Sequence, residues 1–222
     1  MRMMRTAQLP EPAAPELGGD ARELLDQLGS PEALPTLASA AAALTLETVR
    51  DEATLCRFLA GYREQVLLPV ELTAILRAHG HAARNELREL LALDQLLARD
   101  VRLREFRAAS AAVGRRQLAK LRPLRDQRLV QRYLCAVEDG QAHGWHTLVF
   151  GVFLAQYSFP LRQGLLLYGQ RTLGGFLDVA SATLRLHAAT ADALHADAVL
   201  PLLPAVNQLV DKPPGAETLV AR

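Results

Sequence analysis

Apolar residues recur at three- and four-residue intervals along most of the chain, and no stretch of useful length alternates apolar and polar residues as a half-buried strand would. The spacing therefore predicts helices. In "VRDEATLCRFLAGYREQVL", Leu55, Phe58, Leu59, Tyr62 and Val66 fall on one face, acidic residues occupy the first turn, and the helix is expected to end before Pro69. "PVELTAILRAHG" predicts a second helix opening on Pro69 and closing on Gly80. Leu87, Leu90, Leu91, Leu93 and Leu97 mark a third, with Arg88 and Asp94 expected on its outer side. From Val101 to Leu121, the residues Leu103, Phe106, Ala109, Val113, Leu118 and Leu121 predict a long arginine-rich helix stopped by Pro123. Leu129, Tyr133, Cys135 and Val137 mark the next, ended by Gly140. Ahead of all these, "ARELLDQLGSPEALP" predicts a short helix broken at Gly29-Ser30-Pro31, followed by an Ala-rich run from Leu37 to Glu47.

The least polar part of the chain lies between Asp139 and Arg162, where 22 residues include no Asp, Glu, Lys or Arg. That length matches a bilayer span of about 20 residues. Gln141, His143, His146, Gln156, Ser158 and Pro160 interrupt it, so a buried helix ending at Tyr157 accounts for it better. Beyond Pro160, one stripe runs through Leu161, Leu165, Tyr168, Thr172, Phe176, Val179, Thr183 and Leu186, with Leu166, Leu173, Leu177 and Leu184 beside it. Charge is confined to a seam of Arg162, Arg171, Asp178 and Arg185. Gly164, Gly169, Gly174 and Gly175 sit inside this helical pattern, each costing about 1 kcal/mol relative to Ala. Close helix approach, within the domain or across a homodimer, would offset that cost. The expected architecture is all-α: a single-domain multi-helix bundle with a long buried Gly-containing helix near residues 161–187. A flexible Pro-rich leader is expected over 1–20, the helical domain over 21–210 and a flexible tail over 211–222.

Composition agrees with this picture and narrows the function. Half of the residues are apolar and only 5% aromatic, which favours helices and supplies a sizeable core. A net charge of +1 argues against a wholesale nucleic-acid binder, and no membrane span is expected. Charge is nevertheless uneven, since Arg99 to Arg132 holds eleven basic residues against Asp100, Glu105 and Asp126, a local excess of eight. This stretch is a solvated arginine face, a docking surface for an acidic protein partner or, as the least favoured reading because aromatic interleaving is absent, a nucleic-acid surface. Cys56 and Cys135 are far apart and outside any Cys/His grouping, and the N-terminus has no apolar signal region, which suits a cytoplasmic protein.

Candidate chemistry is sparse. No Gly-rich phosphate loop, zinc-protease motif or nucleophile elbow occurs. His79 and His81, His143 and His146, and His187 and His195 with Asp192 could each begin a metal site, but none has a third ligand placed beside it, so neither a metal nor a cofactor is assigned. Ser110 and Ser181 lack an adjacent base and are expected as small packing residues bonded to their own helix. The residues themselves point to a non-catalytic helical interaction protein.

Several segments recur in a recognisable order: "VRDEATLCRFL" at Val49 to Leu59, "LRELLALDQLL" at Leu87 to Leu97, "FRAASAAVGRRQLAKL" at Phe106 to Leu121, "VFG" at Val149 to Gly151, and "LLLYGQRTLGGFLDVASATLRL" at Leu165 to Leu186. Together they resemble the urease accessory protein F family. The resemblance implies an all-α homodimeric chaperone that binds accessory protein D (also called H) and the GTPase accessory protein G. In that assembly GTP-dependent nickel delivery to apo-urease is regulated, and nickel binding belongs to the assembly's task. It also nominates Ser110, Gly114, Arg115, Tyr168, Arg171, Ser181 and Arg185 as partner or dimer interface residues, with Leu118, Phe150, Gly151 and Ala182 as further motif positions. "LPTLASAAAALTLE" and the tail "DKPPGAETLVAR" depart from the family pattern. The alternative is a diverged helical protein-interaction module outside urease maturation.

Overall fold

A computed structural model describes residues 27–213. The expected leader, the start of the first predicted helix and residues 214–222 of the tail lie outside the described residues. Gln27 to Gly29 form a turn, and among the described residues the chain forms helices and no strand. The α-helices are α1 (Leu37–Ala43), α2 (Glu52–Tyr62), α3 (Thr73–Ala83), α4 (Leu87–Arg99), α5 (Arg107–Lys120), α6 (Arg128–Glu138), α7 (His146–Gln156), α8 (Leu161–Leu184), α9 (Ala188–Val199) and α10 (Leu202–Asp211).

Pro69 does not end a helix. α2 passes through a π-helical segment, Arg63–Leu72, directly into α3. A proline ring collides with the carbonyl four residues earlier and cannot donate to it, and a wider π turn accommodates both faults. The carbonyl in question belongs to Gln65, and Arg102 Nη1 donates to it at 3.3 Å. Nor does α3 close at Gly80. It continues to Ala83, and Asn85 adopts the left-handed conformation (φ 58°) often taken by Gly after a helix.

Three further expectations change on folding. The helix placed from Val101 to Leu121 begins only at Arg107, because Asp100 accepts from the Arg102 N–H at 2.9 Å and turns Val101–Leu103 into a separate 3-10 turn. The Ala-rich run from Leu37 to Glu47 is helical only as far as Ala43. Cys135 is exposed, because α6 buries Leu129, Val130, Tyr133, Leu134 and Val137 and leaves position 135 outside that arc.

The core is centred on α7, which is buried on all sides from His146 to Leu154. α3 crosses it at close range, since a Cβ on Gly151 would lie 2.6 Å from the Ile75 carbonyl oxygen. The segment between Asp139 and Arg162 is thus an interior helix, ending at Gln156 with Tyr157 as its cap. The only helical stretch long and apolar enough to cross a membrane among the described residues is Ala188–Asp211, mostly unburied. α8 runs from Leu161 to Leu184 and stops where Arg185 turns left-handed (φ 55°). Its glycines are filled by this chain's own atoms: Leu154 against Gly164, Leu202 against Gly169, His195 against Gly174, and the Gly29 carbonyl oxygen 2.0 Å from a Cβ on Gly175. Toward its end the predicted stripe opens to solvent at Thr183.

Candidate functional site

Two buried carboxylates organise the interior. Asp94, expected on the outside of α4, is fully buried. It falls on the same helical arc as Leu90 and Leu97, at spacings of four and three, so its position on the apolar face was legible. Its carboxylate accepts from Tyr133 Oη at 2.8 Å, the His143 N–H at 2.7 Å and the Gly144 N–H at 3.0 Å. Gln95 Nε2 donates to the Gln141 carbonyl at 2.8 Å, adding a second tie to the same loop. Gly140 and Gly144 supply the positive φ values, 73° and 71°, that let residues 140–144 wrap around this anion.

α5 closes the loop from the other side. Ser110 Oγ accepts the His146 N–H at 3.0 Å, one of the donors that the start of α7 would otherwise leave unpaired. A Cβ on Gly114 would lie 2.0 Å from the Gly144 carbonyl oxygen, so backbone meets backbone there. Arg115 Nε donates to the His143 carbonyl at 3.2 Å.

The second carboxylate is Glu71, in the π-helical segment. Tyr62 Oη donates to its Oε2 at 2.6 Å, and Tyr168 of α8 hydrogen-bonds both Glu71 and Thr172. Burial outweighs these two phenols and pushes the Glu71 carboxyl up to about 7. The same burial, with Glu71 beside them, raises both tyrosines well above the usual phenol range. Tyr168 also packs against His146, ring centroids 5.6 Å apart, and burial lowers that imidazole to about 4. Glu71, Ser110, Trp145 and Thr147 help line a cavity of ≈ 10 Å³, into which nothing larger than a water molecule fits. This interior offers no room for a substrate.

The profile of the UreF family matches residues 49–198, from the residues preceding α2 to the end of α9. The chain belongs to the UreF family. UreF is a family of urease accessory proteins, chaperones and not enzymes by family character. No curated protein matches the chain.

Within this UreF-family fold, the seven nominated interface residues separate into two kinds. Ser110, Gly114 and Tyr168 are buried in their own chain, the first two beneath the loop before α7 and the third against Glu71 and Phe150. Arg115, Arg171 and Arg185 are exposed, and Ser181 is half-buried with an Oγ that has no hydrogen-bond partner among the described residues. Ser110 therefore bonds another element's backbone and not its own helix. By element, Ser110, Gly114 and Arg115 belong to α5, whereas Tyr168, Arg171 and Ser181 belong to α8 and Arg185 caps its end.

The histidines separate as well. His146, the first residue of α7, is in the core with Tyr168, while His143 is half-buried beside the Trp145 ring at 6.3 Å. His81 Nδ1 pairs with Glu86 Oε2 at 2.8 Å, and Arg84 holds the same carboxylate, which lies well down at about 2. Among the described residues no three His, Cys, Asp or Glu side chains converge as metal ligands. Sequence reasoning missed Glu71 altogether, although Leu67, Val70, Ala74 and Ile75 surround it at helical spacing.

Proposed function

We propose that the protein is a urease maturation scaffold that binds accessory proteins D and G and regulates GTP-dependent nickel delivery to apo-urease. The supporting observation is that the UreF match extends over 49–198, the span that contains both buried carboxylate clusters and the α3–α7 crossing. The helical domain of this reading is 21–210, and it works in the cytoplasm as a homodimer without cofactor or membrane partner. Arg115, Arg171, Ser181 and Arg185 present the contact surfaces, and Ser110, Gly114 and Tyr168 hold the helices that carry them. Nickel is cargo of the assembly in this reading, held by partners.

Co-purification tests it directly. Protein G is expected to be retained with this chain when protein D is present, and deletion of the gene is expected to leave urease unactivated. Normal activation in the deletion strain would overturn the proposal. A second reading, a helical interaction module outside urease maturation, is favoured by one observation: the family match begins only at residue 49, leaving "LPTLASAAAALTLE" unmatched. Urease subunit genes beside this gene would count against that second reading.

A further inference from the structure

The basic stretch contains a shaped surface. Arg104, Arg107, Ala108, Ala111, Ala112 and Arg115, with His143 as a side wall, line an open groove of ≈ 380 Å³. From Arg107 to Arg115 the positions recur at four-, three- and one-residue steps along about two turns of α5, roughly 12 Å, and Arg104 extends the groove by the turn that precedes the helix. Two guanidiniums are held in place: Arg107 Nη2 donates to the Ala98 carbonyl, and Arg115 Nε donates to the His143 carbonyl. Each retains further N–H donors, because a guanidinium has five. Arg104 is exposed and makes no ion pair among the described residues, and no carboxylate lines the groove.

The arrangement differs from a solvated arginine face. On such a face long side chains of both signs intermingle, whereas here the floor consists of alanines, two of them exposed. Methyl groups lose no rotamer freedom on contact and let another backbone approach closely. Arginines at both ends then select carboxylates, to which a guanidinium bonds in bidentate fashion. Nucleic acid fits less well, because no Phe, Tyr or Trp lines the groove and His143 is the one ring beside it for base stacking.

We propose that this groove docks an acidic helical segment of a partner protein, its glutamates or aspartates about three turns apart. The proposal rests on the groove alone and holds whichever assembly the protein serves. The test uses the full chain and a fluorescently labelled Ala-rich helical peptide with glutamates three turns apart on one face. Saturable binding that weakens with added salt is expected by fluorescence anisotropy. Arg104→Glu should weaken it about tenfold, the effect of losing one well-formed ion pair. Ala112→Trp, which fills the floor, should do the same or more, with Ala108→Trp as a second floor variant. The peptide carrying glutamine in place of glutamate should not bind. Arg128→Glu, an equal change of charge on an exposed residue outside the groove, should leave binding unaltered. Three results would each overturn the proposal: equal weakening by Arg128→Glu and Arg104→Glu, indifference to both floor variants, or a DNA duplex that displaces the peptide and binds more tightly.

Discussion

Asp94 and Glu71 occupy equivalent positions in the chain's pattern, each a single carboxylate among leucines and valines on the inner side of a helix, yet they end in different states. Asp94 is met by three donors, two of them backbone N–H groups from a loop far away in sequence. Glu71 is met by two phenols only, and its carboxyl rises to about 7. Burying a carboxylate is costly unless donors replace the lost water, and backbone N–H groups do this without further loss of side-chain freedom. Asp94 is therefore a fastening for the loop that opens α7, whereas Glu71 is a group near its titration point inside the core.

The sharpest way to break this contrast is Asp94→Ala. Three buried donors would lose their acceptor, and urea denaturation should show a loss of about 4 kcal/mol, with Glu71→Gln costing far less at neutral pH. Gly114→Ala attacks the same loop from α5. Its Cβ would overlap the Gly144 carbonyl oxygen, so the helix and loop must separate, and about 3 kcal/mol of stability should go.

Glu71 is best exposed by pH. Its contribution to stability is fully present below its ordinary 4.5 and is lost as pH rises through about 7, because the folded form holds the proton longer than the unfolded one. His146 has the opposite sign: its contribution is present above 6.5 and is lost as pH falls through about 4. Each is worth about 3 kcal/mol across its window, so between pH 4.5 and 6.5 the two slopes cancel. Glu71→Gln should uncover the His146 slope, its stability relative to the wild type rising by about 3 kcal/mol from acid to neutral pH. An unchanged difference across that range, measured by denaturation at successive pH values, would remove Glu71 as a titrating group. The smallest effects sharpen the contrast most finely. Tyr133→Phe and Tyr62→Phe should each cost about 1 kcal/mol, but only Tyr62→Phe should also shift the pH midpoint assigned to Glu71, since it removes one of that carboxyl's two donors.

Much of the fold was legible in the chain. Periodicity located α2, α4, α6, α7 and α8, the Gly-rich α8 was expected to meet close neighbours, and the ordered motifs pointed to the family that the profile match shows. The errors share a physical origin. Pro69 was read as a boundary because a proline disrupts the usual α turn, but a π turn and a donor from Arg102 absorb the disruption. Asp94 was put outside because it is charged, although its spacing put it inside. His143 and His146 looked like a pair because they are three residues apart, yet one remains beside the groove and the other enters the core. Among the seven interface candidates the sequence did not separate the buried from the exposed, because burial depends on which other helix arrives above each one.

Local chemistry along the chain was enough to determine that it is helical, where most helices lie, which family it belongs to and that one stretch carries the positive charge. Those properties depend on residues within a few turns of one another, and spacing encodes them. Only the tertiary structure decided that Asp94 would meet backbone donors and Glu71 only phenols, that α8's glycines face their own chain, and that three arginines surround an alanine floor. Each of these depends on donors, carbonyls or side chains brought from distant positions, and free energy is lost or gained only where those groups meet.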